Sequence, residues 1–166
     1  LSLIIPVYNA EKYTYFMEKQ KRIVAINDIS GFGKCSLTVA LPIISAMGVE
    51  TAIVPTAVLS THTMFSEFTV KDLTDQIQPI SDHWNKEQFK FDAVYTGYLG
   101  SFEQIGMVKD IFNRFGEGCI KFVDPVMGDS GTLYGKFSFR TVCFVPCLSL
   151  LSGLFELHHR LDTLRN

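Results

Sequence analysis

The stretch Asp124-Pro125-Val126-Met127-Gly128-Asp129-Ser130-Gly131 follows a short apolar run, 119–123, that is typical of a buried β-strand. A strand that ends in Asp-Pro and continues into a glycine-containing turn places two carboxylates, Asp124 and Asp129, at its carboxyl end. In an open α/β sheet this edge is where ligands bind. Mg²⁺ needs only one or two carboxylates there, because it keeps several of its waters. The stretch alone is equally consistent with Asp124 capping a turn and Asp129 being solvated.

Strands and helices alternate from Arg22 onward. Apolar runs of strand length occur at 23–26, 51–54, 93–96 and 119–123. Segments with apolar residues at helical spacing occur at 35–47, 70–84 and 102–115. We expect a glycine-rich turn at 29–33, a polar loop at 56–68, and a kink or late helix start at Pro42. The alternation predicts βαβ units, and therefore an α/β fold with a three-layer, Rossmann-like parallel sheet.

Polar residues and glycines follow each of the strands in this pattern. They are Asn27-Asp28, the hydroxyl-rich segment from Thr56 to Thr63, Gly97-Tyr98, and Asp124 to Asp129. The carboxyl ends of parallel strands meet at one edge of a sheet, so we expect these groups to lie together there. The sequence therefore predicts a small-molecule site at this edge.

Composition limits the classes of function. The chain has 166 residues, of which 47% are hydrophobic and 19% charged, and a net charge of −2. This balance fits one ordinary domain and gives no electrostatic reason to expect nucleic acid or an acidic membrane as a partner. The four cysteines have irregular spacing, which favours a cytoplasmic protein over a disulfide framework. The longest apolar run, 142–155, is too short to cross a bilayer.

Two nucleotide-binding motifs fail at the glycine-rich turn. In 31–36, GFGKCS, a Walker A loop would require Gly in place of Asp28 and Ser or Thr in place of Cys35. The dinucleotide fingerprint lacks its third glycine. The glycines are explained by a tight turn into the following helix, or by Asp28 and the turn facing a small molecule.

Other candidate site residues have ordinary structural explanations beside functional ones. His62, in the segment STHT, is either solvated or part of a hydrogen-bonding wall for a polar ring, and a role as a metal ligand is less well supported. Tyr98, between Gly97 and Gly100, is either a packed aromatic or a platform for a planar ligand. The cysteines and histidines of the last 25 residues lack the spacing of a zinc site.

Four segments together resemble pyridoxal/pyridoxamine kinase of the ribokinase-like superfamily. In order, they are AINDISGFGKCSL (25–37), PTAVLSTHT (55–63), YTGYLGS (95–101) and DPVMGD (124–129). The resemblance implies a kinase that transfers the γ-phosphoryl group of ATP, with Mg²⁺, to the 5′-hydroxymethyl group of a B6 vitamer. Such kinases are commonly dimers, so the resemblance also implies a homodimer.

The resemblance also implies roles for individual residues. Asp28 would contact the pyridine ring, Thr63 and Tyr98 would line the same pocket, and His62 would stand beside it. Asp124 and Asp129 would serve the ATP phosphates and the cation. Tyr134 would belong to the loop over the nucleotide.

The resemblance ends after Phe137. The family's later Asn-x-x-Glu and Gly-x-Gly-Asp motifs, the second of which supplies the catalytic base, do not occur in the sequence. We therefore expect a C-terminally truncated kinase portion at 17–137, a divergent and frameshifted tail at 138–166, and no useful turnover. Residues 1–16 resemble the start of a family 2 glycosyltransferase and are expected to be a foreign leader. The alternatives are a hydroxymethylpyrimidine (phosphate) kinase, a non-catalytic ligand-binding remnant and an unstable product.

Overall fold

The computed structural model describes residues 20–124 and 126, and the backbone of 128–129 and 132–133. The expected leader, the tail and Tyr134 lie outside the described residues. The strands are β1 Arg22–Phe32, β2 Glu50–Thr61, β3 Val70–Asp72, β4 Ala93–Thr96, β5 Ile120–Val123, β6 Gly128–Asp129 and β7 Thr132–Leu133. The helices are α1 Leu37–Ala46, α2 Thr74–Lys86 and α3 Phe102–Phe115.

The main sheet has the strand order β3-β2-β1-β4-β5. Strands β2, β1, β4 and β5 run parallel, whereas the short edge strand β3 is antiparallel to β2. The α/β fold is thus confirmed, with the correction that the sheet is mixed rather than wholly parallel. Strands β6 and β7 form a separate two-stranded antiparallel hairpin.

The hydrophobic core lies between one face of the sheet and the helices α2 and α3. Successive side chains of a strand point to opposite faces, and alternate residues of β1, Val24 and Ile26, are fully buried in this core. They pack with Val94 of β4 and with Ile77 and Ile111 of the two helices. Helix α1 contacts β1 and β2 and buries Leu37. The apolar periodicity of α3, with Ile105, Val108, Ile111, Phe112 and Phe115 buried, confirms the predicted helix at 102–115.

Two predicted loops are instead strand. Residues 29–32 belong to β1 and residues 56–61 to β2, because the two strands pair with each other as far as Phe32 and Thr61. The tight turn comes later and is left-handed at Gly33 (φ 98°), Lys34 (φ 44°) and Ser36 (φ 57°). The hydroxyl and glycine content of 29–33 and 56–61 is typical of loops. In the sheet, however, each strand forms backbone hydrogen bonds with its neighbour, and these bonds do not depend on the side chains.

The predicted helix at 70–84 is also partly wrong, because Val70–Asp72 is strand β3. The helix begins at Thr74, whose backbone N–H donates to Asp72 Oδ1 over 2.7 Å. Helix α1 contains Pro42 and begins at Leu37, two residues later than predicted. The helix ends at Ala46, and Gly48 (φ 76°) closes it as expected, where Val49 N–H donates to Ile44 O in a Schellman-type closure. No helix among the described residues combines the length and apolarity that a bilayer span requires.

Candidate ligand site at the carboxyl edge of the sheet

At the carboxyl edge, the parallel strands end at two different heights along the strand direction, here called levels. Strand β4 ends at Thr96, which pairs with Ile26 on one side and Val123 on the other. Asp28, Tyr98 and Asp124 follow these three positions within two residues, and therefore share one level. Strands β1 and β2 continue beyond it together to Phe32 and Thr61. The ends of β4 and β5 thus converge at this level as predicted, whereas β1 passes through it at Asp28 and ends farther along, at Phe32.

Asn27, within β1, joins that strand to the residues that follow β4. Its Oδ1 accepts hydrogen bonds from Tyr98 N–H (2.8 Å) and Asp28 N–H (3.0 Å). The side chain lies against Gly97, where a Cβ would overlap the amide. Glycine is therefore required at 97 because Asn27 occupies the space beside it. One buried side chain fixes the backbones of two candidate site residues.

Thr56 and Gln104 hold the other side of the same loop. Thr56 Oγ1 donates to Tyr98 O over 3.0 Å. Gln104 is fully buried; its Oε1 accepts from Gly100 N–H (2.7 Å), and its Nε2 donates to Thr56 O (3.1 Å) and Thr74 Oγ1 (2.9 Å). Buried polar groups of this kind are favourable only when they are paired. The network fixes the loop 97–101 against β2 and α2.

Asp28 and Tyr98 form the polar core of the site. The Asp28 side chain is 5% exposed, and its Oδ2 accepts from Ser30 Oγ over 3.3 Å. Burial raises the pKa of the Tyr98 phenol, and the carboxylates of Asp28 and Asp72 raise that pKa further. The phenol therefore stays protonated at neutral pH and can donate a hydrogen bond, whereas the carboxylate of Asp28 can accept one. This pair suits a small ring that carries both a donor and an acceptor.

His62 and Thr63 lie on the second level. Thr61 pairs with Phe32, so His62 follows about 15 Å beyond Asp28 along the strand direction, at about 3.3 Å per residue. The His62 ring lies against Gly33 and, with a centroid separation of 4.7 Å, against Phe65, and its Nδ1 accepts from Met64 N–H over 3.3 Å. Thr63 is exposed next to it. The structure therefore does not place these two residues at the level of Asp28 and Tyr98.

Asp124 follows β5 and takes part in a turn. Its N–H donates to Thr96 O over 2.9 Å, and its Oδ1 accepts from Val126 N–H over 3.1 Å. The turn-capping explanation of Asp124 is thus correct, and a carboxylate with about four lone-pair sites keeps acceptors for a cation. Among the residues that the structure describes, no three acidic, histidine or cysteine side chains form a metal-binding group. The backbone of Asp129 lies in β6, and the roles of Asp129 and Tyr134 stay predictions.

Sequence reasoning placed Asn27 and Thr56 at this edge without assigning them a role, and it missed Gln104 altogether. One signal was available for Gln104, since Ser101-x-x-Gln104 is a capping-box pattern. Ser101 Oγ does accept Gln104 N–H over 3.2 Å, but the glutamine side chain bonds Gly100 N–H rather than Ser101 N–H. Asn27 and Thr56 gave no such local signal, because their partner Tyr98 is distant in sequence.

Comparison with known proteins gave matches among solved structures. A Bacteroides thetaiotaomicron protein assigned as a phosphomethylpyrimidine kinase is 44% identical to this chain, with a TM-score of 0.75. The match covers 78% of this chain and 46% of the Bacteroides chain. A second crystal form of that protein, with pyridoxal, gives a TM-score of 0.73. Pyridoxal kinase from Lactobacillus plantarum is 33% identical, with a TM-score of 0.70, over 79% of this chain and 47% of its own.

Pyridoxal kinase from Leishmania donovani, in complex with ADP and ginkgotoxin, shares the fold at 21% identity and a TM-score of 0.67. It matches 78% of this chain and 47% of its own. The chain thus spans about half the length of the solved structures it matches. No protein-family model and no curated protein matched the chain.

Proposed function

From the similarity of this chain to ribokinase-like kinases, among them pyridoxal kinase and phosphomethylpyrimidine kinase, we propose that it belongs to this family and serves vitamin B6 salvage. The proposed reaction transfers the γ-phosphoryl group of ATP to the 5′-hydroxymethyl group of pyridoxal, pyridoxamine or pyridoxine. A cytoplasmic location and a homodimer belong to the same proposal.

The observation that carries the proposal is that Asn27 holds the backbones of Asp28 and Tyr98 at one level of the carboxyl edge. Asp28 is buried, burial and the Asp28 carboxylate raise the pKa of the Tyr98 phenol, and Asn27 Oδ1 accepts hydrogen bonds from the backbone N–H groups of both residues. A pyridine ring with a protonated nitrogen and a 3-hydroxyl group offers complementary groups. The similarity to a structure that contains pyridoxal supports this assignment. His62 and Thr63 would contact the ligand only if the far ends of β1 and β2, which carry them, moved toward Asp28 and Tyr98.

Asp124 and Asp129 are proposed to serve the ATP phosphates and Mg²⁺. Asp124 fits this role, since one hydrogen bond to Val126 N–H leaves acceptor sites on the carboxylate. Mg²⁺ would neutralise charge on the phosphoryl group, and phosphoryl transfer depends mainly on such neutralisation and on positioning. Tyr134 is proposed to cover the nucleotide. The contribution of the described residues is to hold the acceptor ring at a fixed place beside the phosphates.

The proposal separates binding from turnover. The sequence contains no Gly-x-Gly-Asp motif to supply the base, and general-base catalysis contributes typically about 10²–10⁴-fold. We therefore expect the 166-residue chain to bind a B6 vitamer and to release ADP far more slowly than a complete kinase. Rapid ADP release by the purified chain, dependent on the vitamer, would contradict this expectation.

Titration calorimetry with pyridoxine tests the binding step. Pyridoxine lacks the aldehyde of pyridoxal, so Schiff bases with lysine do not contribute to the signal. We expect saturable binding that Asp28→Asn weakens about tenfold or more, since a hydrogen bond to a charged group contributes about 1.5–3 kcal/mol. Asp75→Asn, at an exposed aspartate of α2, is the matched control and should bind as the parent does. Equal affinity of the parent and Asp28→Asn would exclude the assigned role.

A hydroxymethylpyrimidine (phosphate) kinase is the second candidate. It is favoured by the 44% identity to a protein assigned as a phosphomethylpyrimidine kinase. The two functions differ in the ring that Asp28 and Tyr98 recognise. Competition between pyridoxine and hydroxymethylpyrimidine for the same chain separates them, and tighter binding of the pyrimidine would replace the B6 proposal.

A further inference from the structure

We propose that Gln104 is a positioning residue that fixes the loop carrying Tyr98 without contacting the ligand itself. This inference rests on the proposed function for the identity of the ligand. The geometric part of it stands on the buried hydrogen-bond network alone. Gln104 belongs to α3, whereas the residues that it positions belong to the loop before α3 and to β2.

The side chain of Gln104 is the point at which three elements meet. It bonds the loop at Gly100 N–H, strand β2 at Thr56 O, and the first residue of α2 at Thr74 Oγ1. Thr56 in turn donates from Oγ1 to Tyr98 O. Gln104 therefore acts on Tyr98 by two routes, through Gly100 and through Thr56.

Replacement of Gln104 would affect the two routes differently, because only one of the two bonded backbone groups has another partner. Thr56 O also accepts from Leu73 N–H over 3.1 Å, and therefore keeps a partner if Gln104 is replaced. Gly100 N–H is held by Gln104 Oε1. A Gln104 variant without an acceptor should thus free the loop at Gly100 first. Tyr98 would remain bonded to Asn27 and Thr56, but on a loop anchored at one end only.

Positioning of this kind matters because a binding group works only when it is held near its productive geometry. The Tyr98 ring folds back toward Gly100, with its hydroxyl oxygen 3.8 Å from where a Cβ at that position would lie, and the Asp28 and Asp72 carboxylates raise the pKa of its phenol. Small displacements of the loop would move the phenol relative to Asp28, which is fixed in β1. The expected consequence of loosening the loop is weaker ligand binding with little change in the strands.

Backbone amide exchange tests the geometric part without any ligand. Gln104→Met keeps the side-chain volume and removes the amide. We expect Tyr98 N–H, which Gln104 does not contact, to exchange roughly tenfold faster once the loop opens locally, while the amides of Val108 and Ile111 in α3 keep their protection. Ser81→Ala is the control, at a buried hydroxyl without a hydrogen-bond partner among the described residues, and should leave Tyr98 exchange unchanged. Unchanged Tyr98 exchange in Gln104→Met would overturn the proposal.

Gln104→Glu provides a second variant if the methionine variant does not fold. It keeps an acceptor for Gly100 N–H and removes both donors, so Tyr98 exchange should lie between that of the parent and that of a loop without the anchor. A Tyr98 amide as protected as in the parent, although the hydrogen bond to Thr56 O is no longer made, would limit the role to the Gly100 bond. Parent-like exchange in both variants would overturn the role.

A double-mutant cycle with pyridoxine tests the functional part. We expect Gln104→Met to weaken binding about tenfold, and to have little further effect in a chain that already carries Tyr98→Ala. An equal effect of Gln104→Met with and without Tyr98 would show that it acts elsewhere, and would overturn the proposal. If the parent chain fails to bind pyridoxine, the proposed function fails, and the exchange experiment alone decides the positioning role.

Discussion

The two ends of the parallel sheet are held by different kinds of interaction. At the amino end, two ion pairs over 2.6 Å contribute: Lys21 Nζ with Asp92 Oδ1, which is exposed, and Arg22 Nε with Glu50 Oε2, which is partly buried. At the carboxyl end, the joining side chains are buried and neutral, namely Asn27, Thr56 and Gln104. Exposed ion pairs contribute little and tolerate replacement. Buried neutral networks are directional and costly to break, so the end that carries the candidate site is the one with fixed geometry.

Replacement of Gly97 by alanine should have the largest effect at the carboxyl end. A Cβ there would overlap the Asn27 amide, so either Asn27 leaves Tyr98 N–H or the loop moves. We expect a loss of about 1–3 kcal/mol in the free energy of unfolding, measured by urea denaturation. Gly106→Ala is the control, since none of the described atoms lies within 4 Å of a Cβ at that position of α3. It should stabilise the chain by about 0.5–1 kcal/mol, and similar effects of the two changes would contradict the described contact.

A pair of Thr→Val substitutions within β2 compares the two ends directly. Thr56 Oγ1 donates to Tyr98 O, whereas the buried Thr51 Oγ1 has no hydrogen-bond partner in the part of the chain that the structure describes. Thr56→Val should cost about 1–2 kcal/mol, because it removes a bond and leaves a carbonyl less well paired. Thr51→Val should be neutral or stabilising, because it removes an unpaired buried hydroxyl. Equal costs in thermal or urea unfolding would show that the two ends do not differ in this respect.

Removal of the Asp92 charge at the amino end should have the smallest effect. The Lys21 hydrogen bond, followed by the bond from Arg22 N–H, lowers the pKa of Asp92 below its ordinary value of 3.8. The resulting stability is therefore complete above pH 3.8 and is lost as the pH falls through the lower, folded-state pKa. Asp92→Asn should cost less than about 1 kcal/mol at neutral pH, since the pair is exposed and screened.

The difference between Asp92→Asn and the parent should vanish under acid conditions, and it should shrink with added salt at neutral pH. Unfolding curves over a pH series measure the first trend, and a salt series at neutral pH measures the second. A difference that grows as the pH falls would mean that the Asp92 pKa is raised in the folded chain. The same salt series should leave the cost of Thr56→Val unchanged, because that hydrogen bond joins neutral groups.

The sequence predicted the elements best where local pattern and tertiary packing agree. Strand β4 and helix α3 have the bounds that their apolar patterns predict, since Val94, Val108 and Ile111 all face the core. It failed where pairing with a distant strand overrides composition. The residues after Ile26 and after Pro55 are rich in Gly, Ser and Thr, yet they extend β1 and β2 because each satisfies the backbone of the other.

The sequence by itself determined that strands and helices alternate, and hence that polar residues after several strands meet at one edge. It also supplied Asp28, Tyr98 and Asp124 as the candidates that the structure places at one level. Only the tertiary structure decided that His62 and Thr63 lie on a farther level, and that Asn27 binds Tyr98 across 71 residues of chain. The reason is physical. The backbone N–H and C=O groups of a loop can form a hydrogen bond with any suitable side chain. Strand order decides which side chain lies near the loop, and no local pattern specifies that order.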